Sequence, residues 1–296
     1  EGEIWPNLIR QAQKAGVKCV LANADLSLRS ERRYRRFGFF CRGVFTSFDR
    51  VFTQTPADQA RFEALGVQPG AIRTVGSLKF DTAIPLNCPR ADARELLRKL
   101  GVTDRPVWVA GSTHEGEEEI VLRVFKAARE RAPGLFLLLA PRHDERTGEI
   151  EKLLHAAGLS YRLRTELNAP EFQPRPTDVL VLNTTGELRA FYEAATVIFI
   201  GNSLVGHKGG HNIIEGAITG HPVIYGPNMQ DWQAVADAFT AAGGAVQVAG
   251  EDALLHEVTA LVLDEKRRQQ IGDRALTLIK ANLGAADRTA DQLGLE

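Results

Sequence analysis

Short apolar runs alternate along the chain with longer stretches whose apolar residues recur every three or four positions, and this alternation predicts an α/β fold. The runs at 17–22, 44–53, 72–75, 107–110, 135–140, 179–182, 197–200 and 223–225 are the predicted strands. They are continuous rather than alternating, as expected for strands buried on both faces of a parallel sheet. Between them, 7–15, 57–65, 116–131, 145–157, 187–194 and 212–219 carry the helical period. A polar, proline-containing stretch at 85–90 precedes a fresh helix and strand. The expected domains are therefore 1–88 and 89–296, with a final helix near 264–293 able to pack on either. A first domain with only about three strands is thin beside the roughly 100–150 residues of a typical domain. The chain is thus expected to start inside its N-terminal domain.

Composition narrows the function classes. The 296 residues carry 36 Lys plus Arg against 37 Asp plus Glu, a formal charge of -1, which argues against a general nucleic-acid binder. The longest purely apolar run, 135–140, is far short of the ~20 residues of a membrane-spanning helix. Charged Glu1 and Glu3 are followed by no signal-peptide core. The 3 cysteines, Cys19, Cys41 and Cys88, are too few and too scattered for a disulfide framework or a Cys-rich zinc site. A soluble, cytoplasmic chain is expected. One segment stands out against the neutral background: over 29–50, Arg29, Arg32, Arg33, Arg35, Arg36, Arg42 and Arg50 interleave with Tyr34, Phe37, Phe39, Phe40, Phe45 and Phe48. It reads either as an anion-seeking surface suited to a membrane headgroup layer or as an amphipathic helix with core aromatics and solvated arginines.

Candidate chemistry follows the predicted strands, where open α/β sheets gather their ligands. After 197–200 comes a glycine-rich loop, Gly201 through Gly206, His207, Lys208, Gly209, Gly210 and His211, leading into Asn212-Ile213-Ile214-Glu215. Its backbone N–H groups and the helix start behind it suit an anion; Asn212 with Glu215 also fits a capping box. Pro141-Arg142-His143 follows 135–140, and an arginine there suits phosphate or carboxylate. Gly111-Ser112-Thr113-His114 and the glutamates from Glu115 to Glu119 read mostly as helix initiation, with Ser112, Thr113 and His114 free to face a ligand. Thr185, Gly186 and Glu187 follow 179–182, and Lys79 lies in Gly76-Ser77-Leu78-Lys79-Phe80-Asp81. No two aspartates fall two residues apart, so there is no metal-binding Asp-x-Asp; P-loop and nucleophile-elbow motifs are also missing.

Together these segments resemble the 3-deoxy-D-manno-oct-2-ulosonic acid (Kdo) transferases of lipopolysaccharide synthesis. Glu1-Gly2-Glu3-Ile4-Trp5-Pro6-Asn7 is similar to E-T-E-L-W-P-N. The segments beginning at Gly76 (G-S-L-K-F-D), Ser112 (S-T-H-E-G-E), Pro141 (P-R-H), Gly186 (G-E-L) and Gly209 (G-G-H-N-x-x-E) follow in the family's order. Departures fall at Gly2, Asp25, Asn183, Thr185, Asn202 and Ile213, with Lys208 as an insertion. The resemblance implies a GT-B architecture, two Rossmann-like domains with a cleft between them, here with the N-terminal domain incomplete. It implies inverting, metal-independent transfer of Kdo from CMP-Kdo to a lipid A precursor, with no further cofactor. CMP would be held by Pro141, Arg142, Thr185, Gly186, Glu187, Asn212, Ile213, Ile214 and Glu215. Glu1 and Lys79 would stabilise the transition state, while the general base and a membrane anchor would precede residue 1. The family acts at the cytoplasmic face of the inner membrane, where the 29–50 segment would make a peripheral contact. Another GT-B nucleotide-sugar transferase or epimerase, and a nucleotide-binding fragment without turnover, remain the alternatives.

Overall fold

A computed structural model describes residues 5–82, 92–206 and 209–294. Ten strands lie among them: β1 (Val20–Ala24), β2 (Arg50–Thr53), β3 (Ile72–Thr74), β4 (Val107–Thr113), β5 (Phe136–Pro141), β6 (Tyr161–Leu163), β7 (Val179–Val181), β8 (Val197–Ile200), β9 (Val223–Tyr225) and β10 (Val246–Gln247). Every pairing is parallel, within one sheet of order β1-β2-β3 and another of order β10-β9-β8-β4-β5-β7-β6. The chain divides into two compact units, residues 1–84 with 281–296, and residues 85–280.

The first unit packs Phe45, Val51, Phe62, Leu65, Val67 and Ile72 around its three-stranded sheet. The run expected to be a strand over 44–53 is extended only from Arg50 to Thr53, because Val44 and Phe45 finish the helix Gly38–Phe45. Helical geometry lets the Phe45 ring meet Tyr34 and Phe62 edge-on, at 5.2 and 6.0 Å between centroids. The chain's last helix, Ala285–Leu293, returns to this unit. Asp81 accepts from the N–H groups of Gly284 and Ala286, both at 2.7 Å, and Arg288 donates to the Val75 carbonyl at 2.8 Å.

In the second unit β7, β8 and β9 are buried along their whole length, which is why their sequences run apolar without alternation. Helices Glu117–Arg131, Thr147–Ala157 and Glu251–Leu263 supply Val121, Phe125, Leu154, Leu254 and Val258 to the core that holds Trp108, Leu137 and Phe199. The sheet's two outer strands, β6 and β10, were not expected from the sequence; with three and two residues they are too short to show a period. Strand order reverses at β4. The chain runs from β4 outward through β5 on one side, and β8, β9 and β10 follow on the other. Among the described residues no helix is long and apolar enough to cross a membrane.

Candidate functional site

Two glycines permit the close packing at the carboxyl end of β4. A Cβ on Gly201 would sit 2.3 Å from the Ser112 carbonyl oxygen, and one on Gly111 would sit 2.0 Å from the buried Tyr192 hydroxyl. Ser112 bulges out of the β4–β5 register with a left-handed φ of 55°, so that Thr113 pairs with Pro141 and the Arg142 N–H reaches the Thr113 carbonyl at 2.9 Å. The loops after β4, β5 and β8 are thereby drawn to one edge.

The acids after Gly116 do more than start a helix. Glu117 is fully buried, and its carboxylate accepts four backbone N–H groups: His114 at 3.0 Å, Asn202 at 2.7 Å, and Ser203 and Leu204 at 2.9 Å each. The glycine-rich loop was expected to offer its backbone N–H groups to a bound anion; the anion they hold is the protein's own carboxylate. Farther along, the Gly209 N–H goes to Gln230 at 3.1 Å and the Gly210 N–H to the Asn202 carbonyl at 3.0 Å. His207 and Lys208 lie outside the described residues. Glu118, also fully buried, pairs with Arg146 at 2.7 Å, which anchors the turn after β5. Burial pushes the Glu118 carboxyl up, against the opposing pull of Arg146.

Three histidine rings gather at this edge. The His114 and His211 rings stack at 5.3 Å with Nε2 to Nε2 at 3.0 Å, and His143 meets His114 edge-on at 5.8 Å. Burial, reinforced by His114, Arg142 and His143, pushes the His211 imidazole down to about 4. Glu215 lies in the field of Arg189 and Arg142; burial raises its carboxyl and the two arginines partly offset that. Among the described residues no three His, Cys, Asp or Glu side chains converge as metal ligands.

Of the sequence-expected donor residues, Pro141, Arg142 and Glu215 are brought to this edge. Asn212 caps the short helix Ile213–Ala217, accepting from the Ile214 N–H at 3.0 Å, while Ile213 and Ile214 are buried. That helix is only five residues long, too short for the dipole the glycine-rich loop was expected to exploit. Thr185 and Gly186 are exposed after β7, and Glu187 is held by Arg164 at 2.7 Å and by the Thr184 hydroxyl. Lys79 belongs to the first unit, half-buried in the one-turn helix Leu78–Asp81 whose N-cap is Ser77. Glu1 lies outside the described residues. Sequence reasoning did not assign Glu117, Arg164 or Arg189 a place in the site, and it named His143 and His211 only within the P-R-H segment and the glycine-rich loop; the Ser112–Glu117 motif was the one available signal for Glu117.

Residues 1–82 match the family described as 3-deoxy-D-manno-octulosonic-acid transferase (kdotransferase). A 3-deoxy-D-manno-octulosonic acid transferase of Bordetella pertussis is 36% identical over 99% of this chain and 67% of its own length, and one of Haemophilus influenzae is 32% identical with the same coverage. The chain belongs to the Kdo transferase family. It is a glycosyltransferase chain spanning about two thirds of those relatives. Among solved structures, the C-terminal CMP-Kdo binding domain of WaaA from Acinetobacter baumannii aligns with a TM-score of 0.59 at 24% identity, covering 64% of this chain and 96% of that one. Anabaena Alr3699/HepE in complex with UDP aligns with a TM-score of 0.60 at 14% identity, covering 97% of this chain and 74% of that one. The fold is α/β of the GT-B glycosyltransferase class, as the sequence led us to expect.

Proposed function

We propose that this Kdo transferase chain takes Kdo from CMP-Kdo and passes it, with inversion, to a hydroxyl of a lipid A precursor. The observation that carries the donor assignment is the gathering of the Arg142, His114, His143 and His211 side chains at the reversal of strand order, where open α/β sheets bind their ligands. In the reaction a general base takes the proton of the acceptor hydroxyl as its oxygen attacks the anomeric carbon, the bond from that carbon to the phosphate oxygen breaks, and its electron pair leaves with CMP. Arg142 neutralises the charge that develops on the departing phosphate. Pro141, Thr185, Gly186, Glu187, Asn212, Ile213, Ile214 and Glu215 form the remaining donor wall, while Glu1 and Lys79 stabilise the transition state. A thermal-shift panel of CMP, UMP and UDP tests the donor: CMP should stabilise the chain most. A larger shift with UDP would move the assignment to another nucleotide-sugar activity of the same fold.

The acceptor is a lipid, and we assign its approach to the helix Leu28–Arg36, at the cytoplasmic face of the inner membrane. Arg32, Arg33, Arg35 and Arg36 are exposed there beside exposed Leu28 and Phe37, while Phe45 turns into the core. Clustered arginines near an anionic headgroup layer are worth about 1 kcal/mol each. Replacing the four by alanine should abolish co-sedimentation with anionic vesicles and leave CMP binding alone. Unchanged co-sedimentation would remove this surface from the membrane contact.

A further inference from the structure

The His114–His211 contact constrains protons as well as position. Two Nε2 atoms 3.0 Å apart hold one proton between them: one ring donates, and the other accepts through a neutral nitrogen. A second proton would set two N–H groups head-on and break the bond. An oxyanion wedged between or beside the rings removes that conflict, because each Nε2–H then has its own acceptor.

The surroundings make an anion the natural partner. The pair joins the loops after β4 and β8, the two neighbouring strands where the sheet order reverses. Four backbone donors of this crevice are already spent on Glu117, and the side chains of the pair are groups that an incoming anion can meet. Arg142 and His143 face the pair from the loop after β5. Glu215 and Arg189 lie behind Arg142, and Asp231 packs against Gly209 from the segment after β9. In the free protein His211 is held neutral partly by the positive field of its neighbours; a dianion reverses the sign of that field.

We propose that the His114–His211 pair, with Arg142 and His143, receives the phosphate monoester of the nucleotide and takes up a proton as it does so. This rests on the reading that the second unit binds CMP. The step makes and breaks no covalent bond to carbon or phosphorus: a solvent proton adds to the imidazole that was the acceptor, and the His–His hydrogen bond is exchanged for two bonds to phosphate oxygens. A phosphate has its second pKa near ~6, so above neutrality CMP is already dianionic and any further proton enters through the protein.

The test is calorimetric titration of the full chain with CMP between pH 7 and 8.5, in buffers of different ionisation enthalpy. Wild-type protein should take up close to one proton per CMP, and its affinity should fall about tenfold per pH unit across that range. Cytidine, which lacks the phosphate, should bind without uptake. His211→Gln and His114→Gln should each flatten the pH slope and remove the uptake. Nitrogen NMR of wild-type histidines supplies a readout free of any variant: one ring of the pair should change from a neutral to an imidazolium signature on CMP addition, while the other stays neutral with its Nε2 protonated. CMP binding with no uptake, or with equal uptake in the variants, overturns this assignment and leaves the nucleotide reading standing. Failure of the wild type to bind CMP overturns both.

Discussion

The loops that follow β8 and β5 stand at the same edge of one sheet and have opposite characters. The β8 loop is turned inward: Asn202, Ser203 and Leu204 give their N–H groups to buried Glu117, and the Ser203 hydroxyl bonds the Ile200 carbonyl at 2.5 Å while accepting from the Gly226 N–H at 2.8 Å. The β5 loop is turned outward, with Arg142 and His143 exposed while the Arg142 N–H bonds the Thr113 carbonyl and the His143 carbonyl accepts from the Arg146 N–H. A glycine-rich turn at a strand's end is therefore no guarantee of an anion cradle. Where a carboxylate from the next helix fills the turn, the turn becomes a rigid wall, and recognition passes to the side chains opposite.

The largest test of this contrast is Glu117→Ala. It strands four N–H groups in a buried setting, and a loss of about 3–5 kcal/mol in urea unfolding is expected. A loss below about 1 kcal/mol would mean that the carboxylate is incidental to the wall. Arg142→Ala should do the reverse, leaving the unfolding midpoint unchanged while weakening CMP binding by about 1.5–3 kcal/mol, roughly 10- to 150-fold in calorimetry. Equal affinity in a folded variant would take the recognising role away from the β5 loop.

The smallest effect is one of pH. His211 is held neutral down to about 4 in the folded chain against 6.5 when unexposed to these neighbours, so between those values the unfolded chain binds the extra proton. Stability thus falls as pH falls through that window, by about 1–2 kcal/mol in total once the roughly 3 kcal/mol equivalent of the shift is discounted for solvent screening of the partly exposed ring. Glu215 and Glu118, whose carboxyls are raised by burial, act with the opposite sign, because the folded chain protonates them first. The difference between wild type and His211→Gln isolates the histidine. Parallel stability profiles from pH 7 to 4 would show that the imidazole's surroundings do not oppose its charge.

The central strands and most helices were legible because their burial is written into local periodicity; 107–110, 179–182 and 197–200 are continuous apolar runs for that reason. Phe45 was misassigned to a strand because an aromatic run looks alike in either geometry, and only its contacts with Tyr34 and Phe62 decide it. At the site, single-loop features such as Arg142 and the Asn212 cap could be read directly. Glu117 could not, since three of its four partners lie 85 to 87 residues onward and a glutamate in a helix's first turn already has a local explanation. The His114–His211 pair, 97 residues apart, exists only because the strand order reverses between them.

The return of the last helix to Asp81 and Val75 also sets the order in which the molecule can be built. The second unit is one unbroken stretch and can close as soon as it has cleared the ribosome. The first must wait, with its sheet already made, for residues 281–296 to emerge. At about 5–20 residues per second that delay is roughly 10–40 s, which inverts the usual N-terminal-first sequence of co-translational folding.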